Sequence, residues 1–499
     1  MNPKADPGRW KALVFICVAQ LMVVLDATVV NIALPSAQRD LGFSDGDRQW
    51  VITAYTLAFG GLLLFGGRVA DLWGRRRTFL VGLIGFAGAS ALGGAAVTTG
   101  MLLGARALQG VFGALLAPAA LSLLTLAFTD AKERAKAFGV YGAIAGAGAA
   151  VGLLLGGVLT EYLNWRWVLY VNILFAVVAA AGAWRFVHDS AQDRNRSRLD
   201  IPGVLLASTG LVALVYGFTR AESDGWGAGL TVALFCVSVV LLAAFIFVES
   251  KAKAPLLPLR VLADRNRGGV YLSLGMAVIA MFGGFLFITY YLQLVMGYSA
   301  LRSGLAFLPM VAGMVIGSTQ ISARLALRVP PRLLMGPGFL VAALGLVILA
   351  QMKTDSSYAT VVLPGLVLMG LGLGTAFMLA TNLATTGIEP RDAGVASAMI
   401  NTSQQVGGSI GTALLNTLAA SATATWAATY AASAQVLGQR EFTNQAAVHG
   451  FSTAFWWGAG ALIIAAAAAV TLINAGPEGG STPIGGETVE GAPARALTH

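Results

Sequence analysis

A single aspartate interrupts an otherwise apolar run near the start of the chain, VVLDATVVNIALP at Val23–Pro35. An ionised carboxylate in hydrocarbon is costly, so one kept there is partnered, takes up a proton, or faces water. Asp26 is therefore a candidate proton- or cation-binding group. Arg106, in GARALQGVFGALLAPAA, is the one basic residue expected deep within an apolar segment. With Gln109, Gly110 and Gly113 it follows the i, i+3, i+4, i+7 pattern, a helical stripe with a polar floor and glycines that admit a neighbouring helix. Pro118 is expected to kink this helix. Two chemistries fit Asp26 and Arg106: charges that merely hold helices together, or a pair that handles protons and substrate. Apolar replacements of buried pairs are often neutral or stabilising, so stability alone is a poor reason to keep one.

Three further groups stand out. In GRVADLWGRRR, Gly67 and Gly74 permit tight backbone geometry, Asp71 can cap a helix or bind arginine, and Arg75, Arg76 and Arg77 anchor the turn on one side of a membrane. That turn is a topology anchor or a gate. In GAIAGAGAAVGLLLGG, glycines spaced by four (Gly142 and Gly146, then Gly148, Gly152 and Gly156) give a smooth face for a second helix. In MFGGFLFITYYLQLV, Tyr290, Tyr291 and Gln293 line a cavity for flat lipophilic ligands or cations, or else face lipid or core.

Other chemistries lack their residues. His188, His449 and His499 fall in loops or the tail, so no histidine relay is expected in the core. There is no G-x-x-x-x-G-K-[ST] loop, no H-E-x-x-H and no Cys/His cluster. No enzyme activity, metal or cofactor is expected.

The elements that must hold these residues follow from composition. The chain has 499 residues, 57% hydrophobic and 11% charged, against about 25% charged in a soluble domain, with a mean hydropathy of +0.75. It reads as an all-α integral membrane protein. The net charge of +9 sits in short loops between apolar runs, which orients a chain in a bilayer and does not indicate nucleic acid. Cys17 and Cys236 lie in apolar segments and imply no disulfide. The basic flank Lys4, Arg9 and Lys11 precedes a retained first span.

Fourteen spans are expected, near 12–35, 50–67, 79–97, 101–126, 136–160, 166–187, 201–219, 228–248, 269–295, 303–323, 333–351, 359–382, 394–420 and 451–473. Most of the 32 Lys and Arg then fall on the side of the N-terminus, which places both termini in the cytoplasm. ARLALRVPPRL (Ala323–Leu333) faintly repeats GRVADLWGRRR, with Arg68 matching Arg324 and Ala70 matching Ala326. The expected division is a six-helix bundle over 1–187, a linker with two additional helices over 188–268, a second six-helix bundle over 269–475, and a disordered tail over 476–499.

These pieces resemble the fourteen-helix drug:proton antiporters of the major facilitator superfamily over roughly residues 10–475. LDATVVNIALP (Leu25–Pro35) resembles that family's first-helix motif, GRVADLWGRRR the superfamily's loop motif, and RALQGVFGA (Arg106–Ala114) its fourth-helix motif. WRWVLYVN (Trp165–Asn172), PLLPLRVL (Pro255–Leu262) and SQQVGGSIGTAL (Ser403–Leu414) resemble further landmarks. The resemblance implies that Asp26 takes up a proton or meets a cationic drug, that Arg106 assists, and that Asn31 and Gln109 stand beside them. It implies that Gly67, Asp71, Gly74, Arg75 and Arg76 gate the switch between outward-open and inward-open states. It also implies that Gly148, Gly152, Gly156 and Gly157 form the antiporter motif. Three positions depart from the pattern: Leu153 replaces a proline, Leu72 a basic residue, and Leu327 an acid in the second-half copy, which predicts asymmetric gating.

The expected function is export of lipophilic, often cationic, small molecules across a bacterial inner membrane in exchange for protons, by alternating access and as a monomer. With one deep acid, proton and substrate compete at Asp26, which disfavours dications. A narrow exporter of one metabolite or self-made antibiotic is the nearest alternative, and a non-transporting sensor or scaffold a remote one.

Overall fold

The computed structural model describes residues 8–43, 45–128, 130–187, 200–252, 255–389, 392–431 and 438–477; some helical side chains, among them Asn31 and Leu153, are outside this description. The tail reading beyond residue 477 is outside it as well. Among the described residues every regular element is helical: α1 (Arg9–Leu41), α2 (Asp45–Trp73), α3 (Arg75–Gly94), α4 (Thr99–Ala127), α5 (Ala131–Tyr162), α6 (Trp167–Phe186), α7 (Ile201–Asp224) and α8 (Gly229–Lys251). They are followed by the short α9 (Leu259–Ala263), α10 (Arg265–Tyr290), α11 (Ala300–Ala306), α12 (Leu308–Ile316), α13 (Ala323–Leu325), α14 (Arg332–Leu349), α15 (Leu363–Thr385), α16 (Ala393–Thr429) and α17 (Gln439–Leu472).

Twelve helical stretches among the described residues are long and apolar enough to cross a membrane, not the fourteen expected. The two long helices outside that set are α5, with 32 residues, and α16, with 37. α5 opens on the charged run Lys132–Lys136 and several of its central side chains are undescribed. α16 carries Asn401, Gln404, Gln405 and a series of Ser and Thr that lower its hydropathy.

Packing follows the small residues. α1 packs on α5 and α6, α4 on α2 and α3; later, α10 packs on α16 and α17, and α14 on α15 and α17. The two groups meet where α2 and α4 touch α16 and where α5 touches α12 and α15, while α7, paired with α8, lies on both α2 and α16. α4 runs unbroken through Pro118. Proline has no N–H to give the carbonyl four residues earlier, and that carbonyl, Ala114 O, is where Gly66 of α2 sits: a Cβ on Gly66 would collide with it and lie 3.1 Å from Leu115 Cα. Close approach of α2 thus falls at the carbonyl that Pro118 leaves without its helical donor.

The loop after α8 is fastened to the junction of the two groups. Glu249 accepts from the backbone N–H of Leu256 (3.2 Å) and Leu257 (3.1 Å). Both leucines are buried in one apolar cluster with Leu64 of α2 and Val395, Ala396 and Ala398 of α16. Arg260 reaches Asp392, the residue before α16, at 2.5 Å; this hydrogen bond holds the guanidinium above its already high ordinary range.

Candidate transport site

Asp26 on α1 is 1% exposed and Arg106 on α4 is 2% exposed, and the two are ion-paired, Arg106 Nη1 donating to Asp26 Oδ2 at 2.6 Å. The other carboxylate oxygen, Oδ1, accepts from Gln109 Nε2 at 2.9 Å and from Asn172 Nδ2, on α6, at 2.7 Å. Arg106 is held in turn: Nη1 also donates to Gln109 Oε1 (2.8 Å), Nε to the Val51 carbonyl (3.3 Å), and the guanidinium carbon stands 4.5 Å from the centre of the Tyr55 ring. Ser90 on α3 accepts from Gln109 Nε2 at 2.7 Å. Five helices thus contribute to one network around this carboxylate, three of them supplying the acid and its direct donors. Its three strong donors, one of them cationic, are what allow an acid to sit in an apolar bundle.

The stripe expected on α4 holds. Arg106 and Gln109 are buried toward Asp26, and the glycines meet α2: a Cβ on Gly110 would lie 2.5 Å from the Tyr55 carbonyl oxygen, and one on Gly113 3.1 Å from the Phe59 ring. From the opposite side, Gly148 and Gly152 bring α5 onto the turn of α1 that carries Asp26. A Cβ on Gly148 would lie 2.7 Å from Val24 Cγ1, and one on Gly152 would collide with Thr28 Oγ1. Gly156 and Gly157 are both buried, and a Cβ on Gly157 would meet nothing within 4 Å, so Gly157 makes no such close approach. The side chain of Asn31 lies outside the described residues. Beside Arg106 there is a cavity of only about 10 Å³, lined by Val30, Leu34, Val51, Leu102 and Leu169 among others. That is room for about one water at most, with too few polar partners to hold it, so the pair is sealed from solvent.

The second polar cluster lies at the junction. Asp71, at the end of α2, accepts from Arg75 Nη2 at 2.9 Å and from the backbone N–H of Gly394 (3.0 Å) and Val395 (3.3 Å) in the first turn of α16. Those amides have no intrahelical acceptor, and the positive end of the helix favours a carboxylate there. Gly74, at φ 106°, takes a conformation that side chains resist and turns α2 directly into α3, so that Arg75 folds back on Asp71 and also donates to Ser122 at 2.7 Å. A Cβ on Gly67 would lie 2.5 Å from the Gly394 carbonyl oxygen. Arg76 is elsewhere: it donates to the Trp184 carbonyl at 2.7 Å and stacks on that indole, tying α3 to α6. Where the second half repeats the motif, Leu327 replaces the acid, and α5 meets the start of that segment through Gly139, whose Cβ would lie 3.5 Å from Ala323 Cβ.

The aromatic group does not form a shared cavity wall. Tyr291 is fully buried and donates to the Lys353 carbonyl at 2.7 Å, bracing the segment between α14 and α15. Tyr290 is exposed and stands 6.3 Å from Phe451, and Gln293 is exposed. Tyr291→Phe is expected to lower stability by about 1 kcal/mol, the worth of one hydrogen bond, and to leave transport at the wild-type rate, as a thermal melt and an efflux assay would show.

At the far end of α1, Asp40 accepts from Trp165 Nε1 (3.0 Å) and Arg166 Nη1 (2.5 Å), and Arg166 also donates to the Ala96 carbonyl at 3.0 Å. These bonds, the one from Arg166 first, hold the Asp40 carboxyl below the ordinary carboxylate range. Its contribution to stability is therefore present above the ordinary aspartate value of about 3.9 and lost as pH falls through the lowered one. Melting temperatures of wild type and Asp40→Asn should differ most at neutral pH and converge in acid.

Asn172, Ser90 and Tyr55 are the site residues that sequence reasoning missed. Asn172 offers the only retrospective signal, as the polar last residue of WRWVLYVN in an apolar run. Among the described residues no three His, Cys, Asp or Glu side chains are grouped to hold a metal.

The sequence matches the Major Facilitator Superfamily family model over residues 16–412. It is 52% identical over 475 residues to the puromycin resistance protein pur8 of Streptomyces alboniger, covering 95% of this chain and 93% of that one. It is 39% identical over 414 residues to the cephamycin export protein CmcT of Amycolatopsis lactamdurans, covering 83% of this chain and 85% of that one. In fold it resembles the human organic anion transporter MFSD10 (TETRAN), with a TM-score of 0.63 at 14% identity, covering 93% of this chain and 100% of that one. An all-helical bundle with a sealed ion pair at its interior, matched along nearly its whole length, this chain belongs to the Major Facilitator Superfamily and is a multi-pass membrane transporter, not an enzyme.

Proposed function

We propose that this chain is a proton-coupled antiporter exporting lipophilic, often cationic, small molecules by alternating access, using protons as the coupling ion and no cofactor. The observation that carries this reading is the Asp26–Arg106 pair, buried on two helices and joined by Gln109 and Asn172. Such a pair adds little net stability over apolar packing, and an aspartate inside a membrane protein can bind and release a proton as water reaches it. The proton neutralises Asp26 and releases a bound cation; loss of the proton restores the charge that attracts the next one. In the sealed state Arg106 supplies that counter-charge.

The transporter works as a monomer with fourteen membrane-spanning helices. Two six-helix bundles, over 1–187 and 269–475, flank the linker pair over 188–268, and α5 and α16 count among the spans because each lies between helices that cross. It sits in a bacterial inner membrane with both termini cytoplasmic. On that orientation the Asp71 contact with α16 closes the cytoplasmic end, with Gly67, Gly74 and Arg75 shaping it, and the second-half copy without an acid is the weaker latch.

A narrower cargo range is favoured by the relatives, named for puromycin resistance and cephamycin export. Efflux of ethidium and of puromycin from pump-deficient cells, with and without a protonophore, separates the two. Protonophore-sensitive efflux of both supports the broad exporter, of puromycin alone the narrow one. Efflux that is indifferent to the protonophore sinks proton coupling.

A further inference from the structure

The carboxamide of Asn172 is not used symmetrically. Its Nδ2 donates to Asp26 Oδ1 and stands 3.5 Å from Ser90 Oγ, while its Oδ1 is buried with no hydrogen-bond partner among the described residues, although Asn172 is 1% exposed. An ionised carboxylate only accepts, so it dictates this orientation: the amide nitrogen must face Asp26 and the oxygen must face away. Leaving a buried acceptor unmatched costs free energy that a turned amide would recover.

Protonation of Asp26 reverses the demand. Oδ2 is engaged by the Arg106 guanidinium, whose N–H groups only donate, so the added proton belongs on Oδ1. Two N–H donors already point at Oδ1, and one must turn away. Gln109 is held in place, because its Oε1 accepts from Arg106 Nη1 and turning it would set an NH₂ against the guanidinium. Asn172 has no such restraint. Among the described residues, the charged and titratable groups around Asp26 are Arg106 of α4 and Tyr55 of α2; α3 presents Ser90, α6 Asn172, and α5 Gly148 and Gly152.

We propose that Asn172 is the positioning residue that reads the protonation state of Asp26, donating through Nδ2 to the ionised carboxylate and turning over to accept the new Asp26 O–H through Oδ1. The step is a proton transfer: one O–H bond of a hydronium ion breaks as one O–H forms at Oδ1, leaving a water molecule; the Asn172 N–H···O bond is replaced by an O–H···O bond, and the Ser90 hydroxyl is near enough to donate to the turned oxygen. The charge on Asp26 thereby becomes a change in what α6 presents to α1 and α3. This rests on Asp26 being the proton-binding group.

The test is infrared difference spectroscopy of the full-length protein in lipid vesicles across a pH step. Acidification should produce a carboxylic acid C=O band that vanishes in Asp26→Asn, together with a carboxamide C=O change that vanishes in Asn172→Leu and persists in Asn172→Gln. Carbon-13 labelling of asparagine should move that carboxamide band in the wild type, which keeps the test decisive if the leucine variant does not fold. Proton-driven efflux should fall about tenfold in Asn172→Leu, roughly one buried hydrogen bond. An Asp26 carboxyl band with no asparagine-sensitive companion, or undiminished efflux in Asn172→Leu, overturns the proposal and leaves Asp26 as proton carrier standing. The absence of any Asp26-dependent band removes both.

Discussion

Asp26→Leu is expected to destabilise the protein by about 3–5 kcal/mol, because it strands a buried guanidinium that cannot shed its proton. Arg106→Leu should cost less, since a carboxyl left alone can become neutral by taking up a proton. The double variant Asp26→Leu/Arg106→Leu should regain most of the lost stability, as replaced buried pairs usually do, and still export nothing. Asp26→Asn, a neutral isostere, should fold and lose protonophore-sensitive efflux. Denaturation midpoints of purified protein, set beside efflux rates, form the double-mutant cycle. Should the double variant be as unstable as the two single losses summed, the pair is not a self-contained unit. Efflux that survives in any Asp26 variant would falsify the single-carboxylate mechanism.

Asp71→Asn is expected to open the junction between α2 and α16. The wild-type carboxylate accepts one guanidinium N–H and two backbone N–H groups at the start of α16. Hydrogen bonds to a charged group are each worth about 1.5–3 kcal/mol, and about 1.4 kcal/mol is already tenfold in a population. Spin labels at Arg77 and Leu333, both exposed and on opposite sides of the junction, should report a longer distance in at least about tenfold more of the molecules. Arg76→Ala serves as the control and should leave the distribution alone, because Arg76 is engaged at Trp184. An unchanged distribution in Asp71→Asn would mean that this contact does not hold the gate.

What was legible in the sequence follows the cost of burial. Asp26, Arg106 and Gln109 announced themselves because such side chains are too expensive in apolar helices to be incidental. Ser90 and Tyr55 did not, since a serine or a tyrosine is unremarkable in a helix until a charge lies against it. The glycines at 148 and 152 could be placed on one face, but only the packed structure assigns that face to α1 and excludes Gly157. The aromatic run stayed open between a cavity wall and lipid or core because composition does not tell one from the other; the packed structure spends the hydroxyl of Tyr291 on a loop carbonyl.

The amino-acid sequence by itself determined that the chain is helical, membrane-embedded and equipped with one deep acid and one deep base, because those properties depend on residue type and local periodicity. Tertiary structure alone decided that the acid and the base are a pair, that Asn172 lies 146 residues along the chain from Asp26 yet touches it, and that Asp71 meets α16 from 323 residues away. The reason is physical. The partners of Asp71 on α16 are backbone amides left over at a helix start, which carry no side-chain signature, and the network around Asp26 forms only when five helices, spaced by glycine, close on the same point.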